Sequence, residues 1–353
     1  MPTKANKAGK QQNYVPSGNG DASGEYTNEA GANRNFQTFK KPEQAPHSFN
    51  AVNQLRTGKP SMPKEDVKVA SEMPPQTFQE WEKVIHEKKK DQPPFNPMKM
   101  SSQEAPISKI DQNAINKSLK NPDFAENPDL DKVVNMAAAA IQKYEGGIDT
   151  AAQLLEGLAS QNGGVMVGLE YRLKTLNSLT RKIYKEVSEK RADGNKNYGY
   201  EDALKDMKDI GRFTMVFDKG NFANGVTKTL DYLESQGFKI IKFKNTFTEG
   251  ATYKGLNCNF VDKNGVTYEL QFHIPESMKV KEGIEVNVGK RSAYINKDIY
   301  TSHDIYETVR DIDKEITDGT ATPARLKLKE ELENRARAYW SKVPNIDLQR
   351  QLK

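Results

Sequence analysis

The sequence predicts an α+β domain, a mixed β-sheet with helices packed on it, behind a long leader that builds no core of its own. Three observations predict it. Residues 252–277, TYKGLNCNFVDKNGVTYELQFHIPES, alternate apolar and polar side chains on either side of a turn at Asp262-Lys263-Asn264-Gly265, the pattern of a β-hairpin. Residues 171–186, YRLKTLNSLTRKIYKE, place Leu173, Leu176, Leu179 and Ile183 at three- and four-residue spacing, and Val187 continues the stripe of an amphipathic helix. Fourteen of the seventeen prolines lie at or before Pro128, which puts the non-periodic part of the chain first.

That leader explains the composition. Of 353 residues only 35% are hydrophobic, and the mean hydropathy is -0.82. Residues 1 to about 70 are rich in Gly, Asn, Pro, Lys and Gln, too polar to offset chain entropy by burial. They are expected to be disordered, with NYVPSGNGDASGEYTNEAGANRNF either a plain linker or a docking motif for a protein partner. Thr77 and Glu80 form a capping box, and Phe78, Trp81, Val84 and Ile85 form an apolar stripe, so a short helix is expected over 77–90. The division expected is 1–125 leader and 126–345 folded domain, with everything before about 126 dispensable for catalysis.

Within the domain, LDKVVNMAAAAIQKYE over 130–145 is strongly helix-forming and stops at Gly146-Gly147, and a second helix runs from Asp149 to about Ser160. After the 171–186 helix come a strand over 208–217, a helix from about Asn221 to Gln236 and the strand GFKIIKFK, a β-α-β unit. The hairpin follows, and helices over 302–317 and 323–342 close the chain.

Charge and cysteine content limit the function classes. A net charge of +5 and a pI near 8.8 favour anionic ligands without implying a dedicated nucleic-acid surface. The single cysteine, Cys258, excludes an intrachain disulfide and a cysteine zinc site, and its place in an alternating strand suits a small core residue. The N-terminus lacks the apolar stretch of a secretory signal and no run approaches a membrane span. A cytoplasmic protein without membrane insertion is expected, with delivery into another cell by a signal-less route left open.

Two polar patterns carry the chemistry. In the hairpin, Tyr268, Leu270, Phe272 and Ile274 share one strand face, and Glu269, Gln271 and His273 share the other. That polar row is either a solvated edge-strand face or a site. In the 171–186 helix, Lys174, Ser178 and Lys182 are four apart, which would stack two ammonium groups and a hydroxyl along one face. Such a ladder is either solvated or a grip for a polyphosphate.

Together these patterns resemble a known family. Arg-x-Lys-x-x-x-Ser-x-x-x-Lys at 172–182, Tyr-x-x-x-Asn at 253–257 and Glu-x-Gln at 269–271 look like the synthetase domain of RelA/SpoT-like enzymes, over roughly residues 126 to 320. The resemblance implies the nucleotidyltransferase fold. It also implies a pyrophosphokinase that moves the β,γ-diphosphate of ATP to the 3′-hydroxyl of a purine nucleotide with Mg2+. Arg172 and Arg212 would sandwich the adenine, Lys174, Ser178 and Lys182 would hold the phosphates, and Tyr253 would stack on the acceptor base. Glu269 and Asp209 would be the catalytic and metal-binding carboxylates, with Gln271 beside them. In the longer relatives the acidic residue precedes the strand arginine by five positions; Asp209 precedes Arg212 by three and Asp206 by six, and only the odd separation puts the two on opposite strand faces as in the family, so the resemblance favours Asp209. Asn257 and His273 stand where longer relatives carry histidine and arginine, so the chain resembles the divergent single-domain and toxin-type branch.

With four histidines in all, His47, His86, His273 and His303, a metal-dependent hydrolase domain is not expected. A synthetase without such an off-switch is expected to arrest growth. Two other readings stand beside it: a toxin that modifies the 3′ end of tRNA, approached through Lys242, Lys244, Lys279, Lys281, Lys290 and Arg291, and a non-catalytic virion- or secretion-associated binding module.

Overall fold

The computed structural model describes residues 73–90, 97, 107 and 109–352, so the disorder and docking motif expected for residues 1 to 70 lie outside the described residues. The chain enters through α1 (Phe78–Lys90) and α2 (Gln112–Leu119). The long helices α3 (Leu130–Glu145) and α4 (Ile148–Gln161) then lead into β1 (Gly164–Val167). Next come α5 (Leu176–Ala192), α6 (Tyr200–Asp206), β2 (Gly211–Phe217), α7 (Phe222–Ser235) and β3 (Lys239–Asn245). The hairpin is β4 (Leu256–Val261) and β5 (Thr267–His273), and α8 (Pro275–Glu282) leads from it to the small ribbon β6 (Ile284–Asn287) and β7 (Ser292–Ile295). Helices α9 (Ser302–Thr317) and α10 (Pro323–Ser341) follow. None of the described helices is long and apolar enough to cross a membrane.

The main sheet has the order β1-β2-β5-β4-β3. Strand β5 runs parallel to β2 and antiparallel to β4, which is antiparallel to β3. The expected β-α-β unit of β2, α7 and β3 is therefore present but split, with the hairpin inserted between its two strands. This insertion decides the hairpin's role. Flanked on both sides, β5 is an interior strand, and the solvated edge-strand reading of its polar row does not hold.

One sheet face is the main core. Phe213, Met215 and Phe217 of β2, Leu270 and Phe272 of β5, and Leu256, Cys258 and Phe260 of β4 pack with Ile141 of α3, Leu155 of α4 and Leu230 of α7. Helix and sheet approach closely at Gly211, where a Cβ would lie 2.8 Å from Tyr268 and 2.9 Å from Tyr144, so only glycine fits beside Arg212. On the opposite face Val165, Val167 and Val216 are covered by Met278 of α8 and by Ile284 and Val288. The remainder of that face is polar.

The structure differs from the sequence expectation at four points. The helix expected over 171–186 starts only at Leu176, because the Thr175 hydroxyl caps it by accepting from Ser178 N at 3.3 Å. Val84 is 42% exposed, so the apolar stripe of α1 is Phe78, Trp81 and Ile85. The leader boundary at 125 also falls inside packed structure. Phe124 is 1% exposed, Ile110 N donates to Glu145 Oε1 at 2.7 Å, and α1 forms a separate apolar cluster with Ile305 and Ile312 of α9 and Leu328 and Leu332 of α10. At the other end, Ile346 N donates to Phe247 O at 3.0 Å, so the chain is still packed beyond 345.

Candidate active site

Asp209 lies at the mouth of a cleft between the start of α5 and the start of β2. Residues 172–174 are held against β2 by Arg212 N donating to Arg172 O at 2.8 Å and Lys174 N donating to Ile210 O at 2.9 Å. This extended segment aims Lys174 inward, while Lys182 reaches the same place from α5. Both ammonium groups close on one oxygen: Lys182 Nζ is 2.5 Å and Lys174 Nζ 3.2 Å from Asp209 Oδ2. The other oxygen, Asp209 Oδ1, is buried and has no hydrogen-bond partner. Burial pushes the Asp209 carboxyl up, but Lys174, Lys182 and Arg212 outweigh it and hold it at about 2.

The cleft is small, about 130 Å3, and its polar lining is Tyr171, Lys174, Thr175, Ser178, Asp209 and Arg212. That is less than a whole nucleotide requires and suits its charged end. Three cations against one carboxylate leave an excess of positive charge, which a polyphosphate would neutralise.

Strand register places the second carboxylate alongside. Arg212 of β2 is paired with Glu269 of β5, and Glu269 with Asn259 of β4. One step further, Thr214, Gln271 and Asn257 form a second row on the same face. Gln271 Nε2 donates to Glu269 Oε2 at 3.0 Å, and Lys281 of α8 donates to Gln271 Oε1 at 3.0 Å.

His273 ends the row and is wholly buried, because α8 folds back over it. Its Nδ1 is 2.9 Å from Ser277 Oγ and its Nε2 3.1 Å from the Tyr253 hydroxyl. Burial, then the Lys281 and Arg212 charges, hold its pKa well below the usual histidine range, so the ring is neutral. Tyr253 also donates to Asn257 Oδ1 at 3.2 Å, and its ring meets Trp340 of α10 edge-on at 5.4 Å. The neighbouring Lys254 is buried and donates to Val343 O at 2.6 Å and Asn345 Oδ1 at 2.7 Å, which ties the Tyr253 loop to the chain after α10.

The expected residues therefore divide. Lys174, Ser178, Asp209 and Arg212 line one cleft, and Glu269, Gln271, Asn257 and His273 share the polar face that continues from Arg212. Lys174 is not on a helix with Ser178 and Lys182, so the four-residue ladder is replaced by convergence from two segments. Asp209 precedes the first residue of β2, so strand parity does not apply to it. Asp206 sits elsewhere, accepting from the Tyr198 hydroxyl at 2.8 Å.

Arg172 departs most from expectation. It is fully buried, pairs with Asp149 at 2.7 Å and donates to Leu169 O at 2.6 Å, so its guanidinium does not face the cleft as an adenine platform. Sequence reasoning missed Tyr171, which is 59% exposed on the cleft rim, and the role of Lys281. The Thr175 cap signal could have exposed Tyr171, since ending the helix there leaves 171 in a turn. The six lysines and arginines expected to guide RNA do not form one surface: Lys242 and Lys244 lie on β3, while Arg291 donates to Gly164 O on β1, at the opposite sheet edge.

A divalent cation such as Mg2+ needs several oxygen ligands. Among the described residues there is no group of three or more His, Cys, Asp or Glu that could hold a metal ion. The orphaned Asp209 Oδ1 nonetheless fits one inner ligand of an oxygen-preferring cation whose other ligands are phosphate oxygens and water, the habit of Mg2+.

No family model and no curated protein matches the sequence. Several solved structures are similar to it. The type VI effector Tas1, in complex with its immunity protein, is 20% identical over 60% of this chain and 94% of its own, with a TM-score of 0.32. The small alarmone synthetase 1 from Bacillus subtilis, bound to its product pppGpp, is 12% identical over 56% of this chain and 87% of its own, with a TM-score of 0.30. A GTP pyrophosphokinase family protein from Streptococcus pneumoniae is 14% identical over 56% and 84%, with a TM-score of 0.28.

Proposed function

We propose that this chain is a RelA/SpoT-like synthetase, an ATP-dependent pyrophosphokinase that transfers the β,γ-diphosphate of ATP to the 3′-hydroxyl of a purine nucleotide. The observation that carries the reading is the pair of lysines drawn onto one oxygen of a buried carboxylate whose other oxygen has no partner. In that resting state Asp209 stands in for the anion the lysines are built to hold. An incoming triphosphate takes over Lys174 and Lys182, with Ser178 donating beside them, and frees Asp209 Oδ2.

Asp209, with Glu269, would hold Mg2+, which when bound neutralises triphosphate charge and polarises the β-phosphorus. Glu269 accepts the proton of the acceptor 3′-hydroxyl. The 3′-oxygen forms a bond to the β-phosphorus, the bond to the α,β-bridging oxygen breaks, and AMP leaves. Arg212, one strand over from Glu269, balances charge on the transferring group. Tyr253 borders the acceptor side, where the neutral His273 and Asn257 fix its hydroxyl.

An RNA 3′ end is not favoured as acceptor, because the basic residues that would guide it sit on opposite edges of the sheet. Purified protein incubated with ATP, Mg2+ and each of GDP, GTP, ADP, AMP and tRNA tests the reading by ion-exchange chromatography. A product of higher negative charge from one of the free nucleotides is expected. No transfer to any acceptor overturns the reading, and transfer to tRNA alone replaces the acceptor.

A further inference from the structure

The cleft at Asp209 is too small for a whole nucleotide, so the rest of any nucleotide held there lies across its rim. Inside, the charge is positive: Lys174, Lys182 and Arg212 all act on Asp209. The rim differs. Tyr171 lines it with a ring that is 59% exposed, and burial, then the Glu170 and Glu282 charges, push its phenol above the usual tyrosine range. Phosphate is therefore drawn inward to the lysines and disfavoured beside those carboxylates, where an exposed aromatic ring suits an uncharged, flat group.

The local fold explains why the ring is displayed. Gly168, at φ 73, opens a single 3-10 turn over Leu169–Tyr171, in which Tyr171 N donates to Gly168 O at 2.9 Å and Arg172 N to Leu169 O at 3.2 Å. Arg172 turns inward: its Nε and Nη2 donate to Asp149 Oδ1 at 2.9 and 2.7 Å, and its Nη1 to Leu169 O at 2.6 Å. Leu169 is 2% exposed on the same turn. With 169 and 172 anchored inside, 171 is left on the outside. Tyr171 and Lys174 are three residues apart, at most about 10 Å of chain, so one nucleotide can reach both.

We propose that Tyr171 is the base-binding residue of the donor site: its ring stacks on the base of the nucleoside triphosphate whose phosphates Lys174 and Lys182 hold. This rests on the proposed function for the presence of a triphosphate in the cleft. Stacking uses the face of the ring, so phenylalanine can replace Tyr171 and alanine cannot.

The test uses full-length protein with Mg2+ and two probes in isothermal titration calorimetry. One is α,β-methylene-ATP, in which a methylene replaces the bridging oxygen that the reaction would break; the other is inorganic tripolyphosphate, which has no base. Tyr171→Ala is expected to weaken the nucleotide analogue about 10-fold or more and to leave tripolyphosphate unchanged, while Tyr171→Phe binds both as wild type does. Tyr171→Trp adds a direct readout. Its fluorescence, taken as the difference from wild-type protein with Trp81 and Trp340, should be quenched by the analogue and not by tripolyphosphate. Unchanged analogue binding in Tyr171→Ala overturns the proposal. Equal weakening of both probes also overturns it, because the residue would then support the lysine grip and not a base. Wild-type protein that binds neither probe removes the proposal together with the triphosphate reading of the cleft. Tyr171-dependent binding of the analogue by a protein that transfers to no acceptor would remove the pyrophosphokinase reading and leave the base seat standing.

Discussion

Arg212 of β2 and Glu269 of β5 are register partners on adjacent parallel strands, so their side chains leave the sheet side by side on the same face. Arg212 also lines the Asp209 cleft, which makes it the link between the lysine-held carboxylate and the carboxylate on the polar row. Glu269→Gln keeps shape and removes charge. It is expected to lower transfer by about 10²-fold or more, roughly 3 kcal/mol of transition-state stabilisation, at unchanged thermal midpoint. In cells, induced wild-type protein should arrest growth and Glu269→Gln should relieve the arrest at equal protein level. Equal arrest by both variants would separate any toxicity from catalysis.

Asp209 gives an acid-stability signature. Its carboxyl titrates at about 2 in the folded chain against an ordinary 3.8. A depressed folded value adds stability that is complete above the unfolded value and is lost as pH falls from about 4 to about 2. The shift corresponds to about 2 kcal/mol. Urea unfolding of wild type and Asp209→Asn at pH 7, 4 and 2 should show a gap that is largest at pH 7 and shrinks below pH 4. A gap independent of pH would mean that the lysines do not set the titration.

His273 acts in a different window. Its folded value is well below 6.5, so only the unfolded chain takes up a proton as pH falls below 6.5. Stability is therefore complete above about 6.5 and declines below it, by up to about 1.4 kcal/mol per pH unit. His273→Asn, which lacks the titrating ring, should flatten the decline between pH 6.5 and 5. The measurement is the urea midpoint at each pH, and an equal decline in both proteins would show that another group carries it.

The hairpin was legible because its alternation is local: Tyr268, Leu270 and Phe272 mark the buried face without reference to the rest of the chain. The lysines and Asp209 were legible as a set from motif spacing, but their geometry was not. Leu173 continues the apolar period of α5 although Thr175 caps the helix after it, so spacing alone ran the helix too far. Arg172 looked available because its partner Asp149 is on another helix. Strand β1 was missed since Gly164, Val165, Met166 and Val167 are all buried and do not alternate. The docking of α1 was least legible, because Trp81 meets Thr308 from 227 residues away.

That docking changes what should follow from shortening the chain. Trp81 is 1% exposed, its Nε1 donates to Thr308 Oγ1 at 2.7 Å, and its ring lies 5.2 Å edge-on from Tyr300. Arg335 stacks over Phe78 at 3.5 Å, and Lys89 pairs with Asp304 at 2.5 Å. A chain starting near Glu126 would leave Ile305, Ile312, Leu328 and Leu332 without their cover, so aggregation or loss of α9–α10 order is expected where the sequence led us to expect an intact catalyst. Trp81→Ala isolates the effect from truncation and should cost about 3 to 5 kcal/mol by chemical denaturation. Because α10 also carries Trp340 against Tyr253, loosening it should raise KM for the acceptor nucleotide more than KM for ATP, whose lysines sit on the far side of β5. A uniform loss of kcat with both KM values unchanged would show that α1 stabilises the fold without supporting the acceptor side.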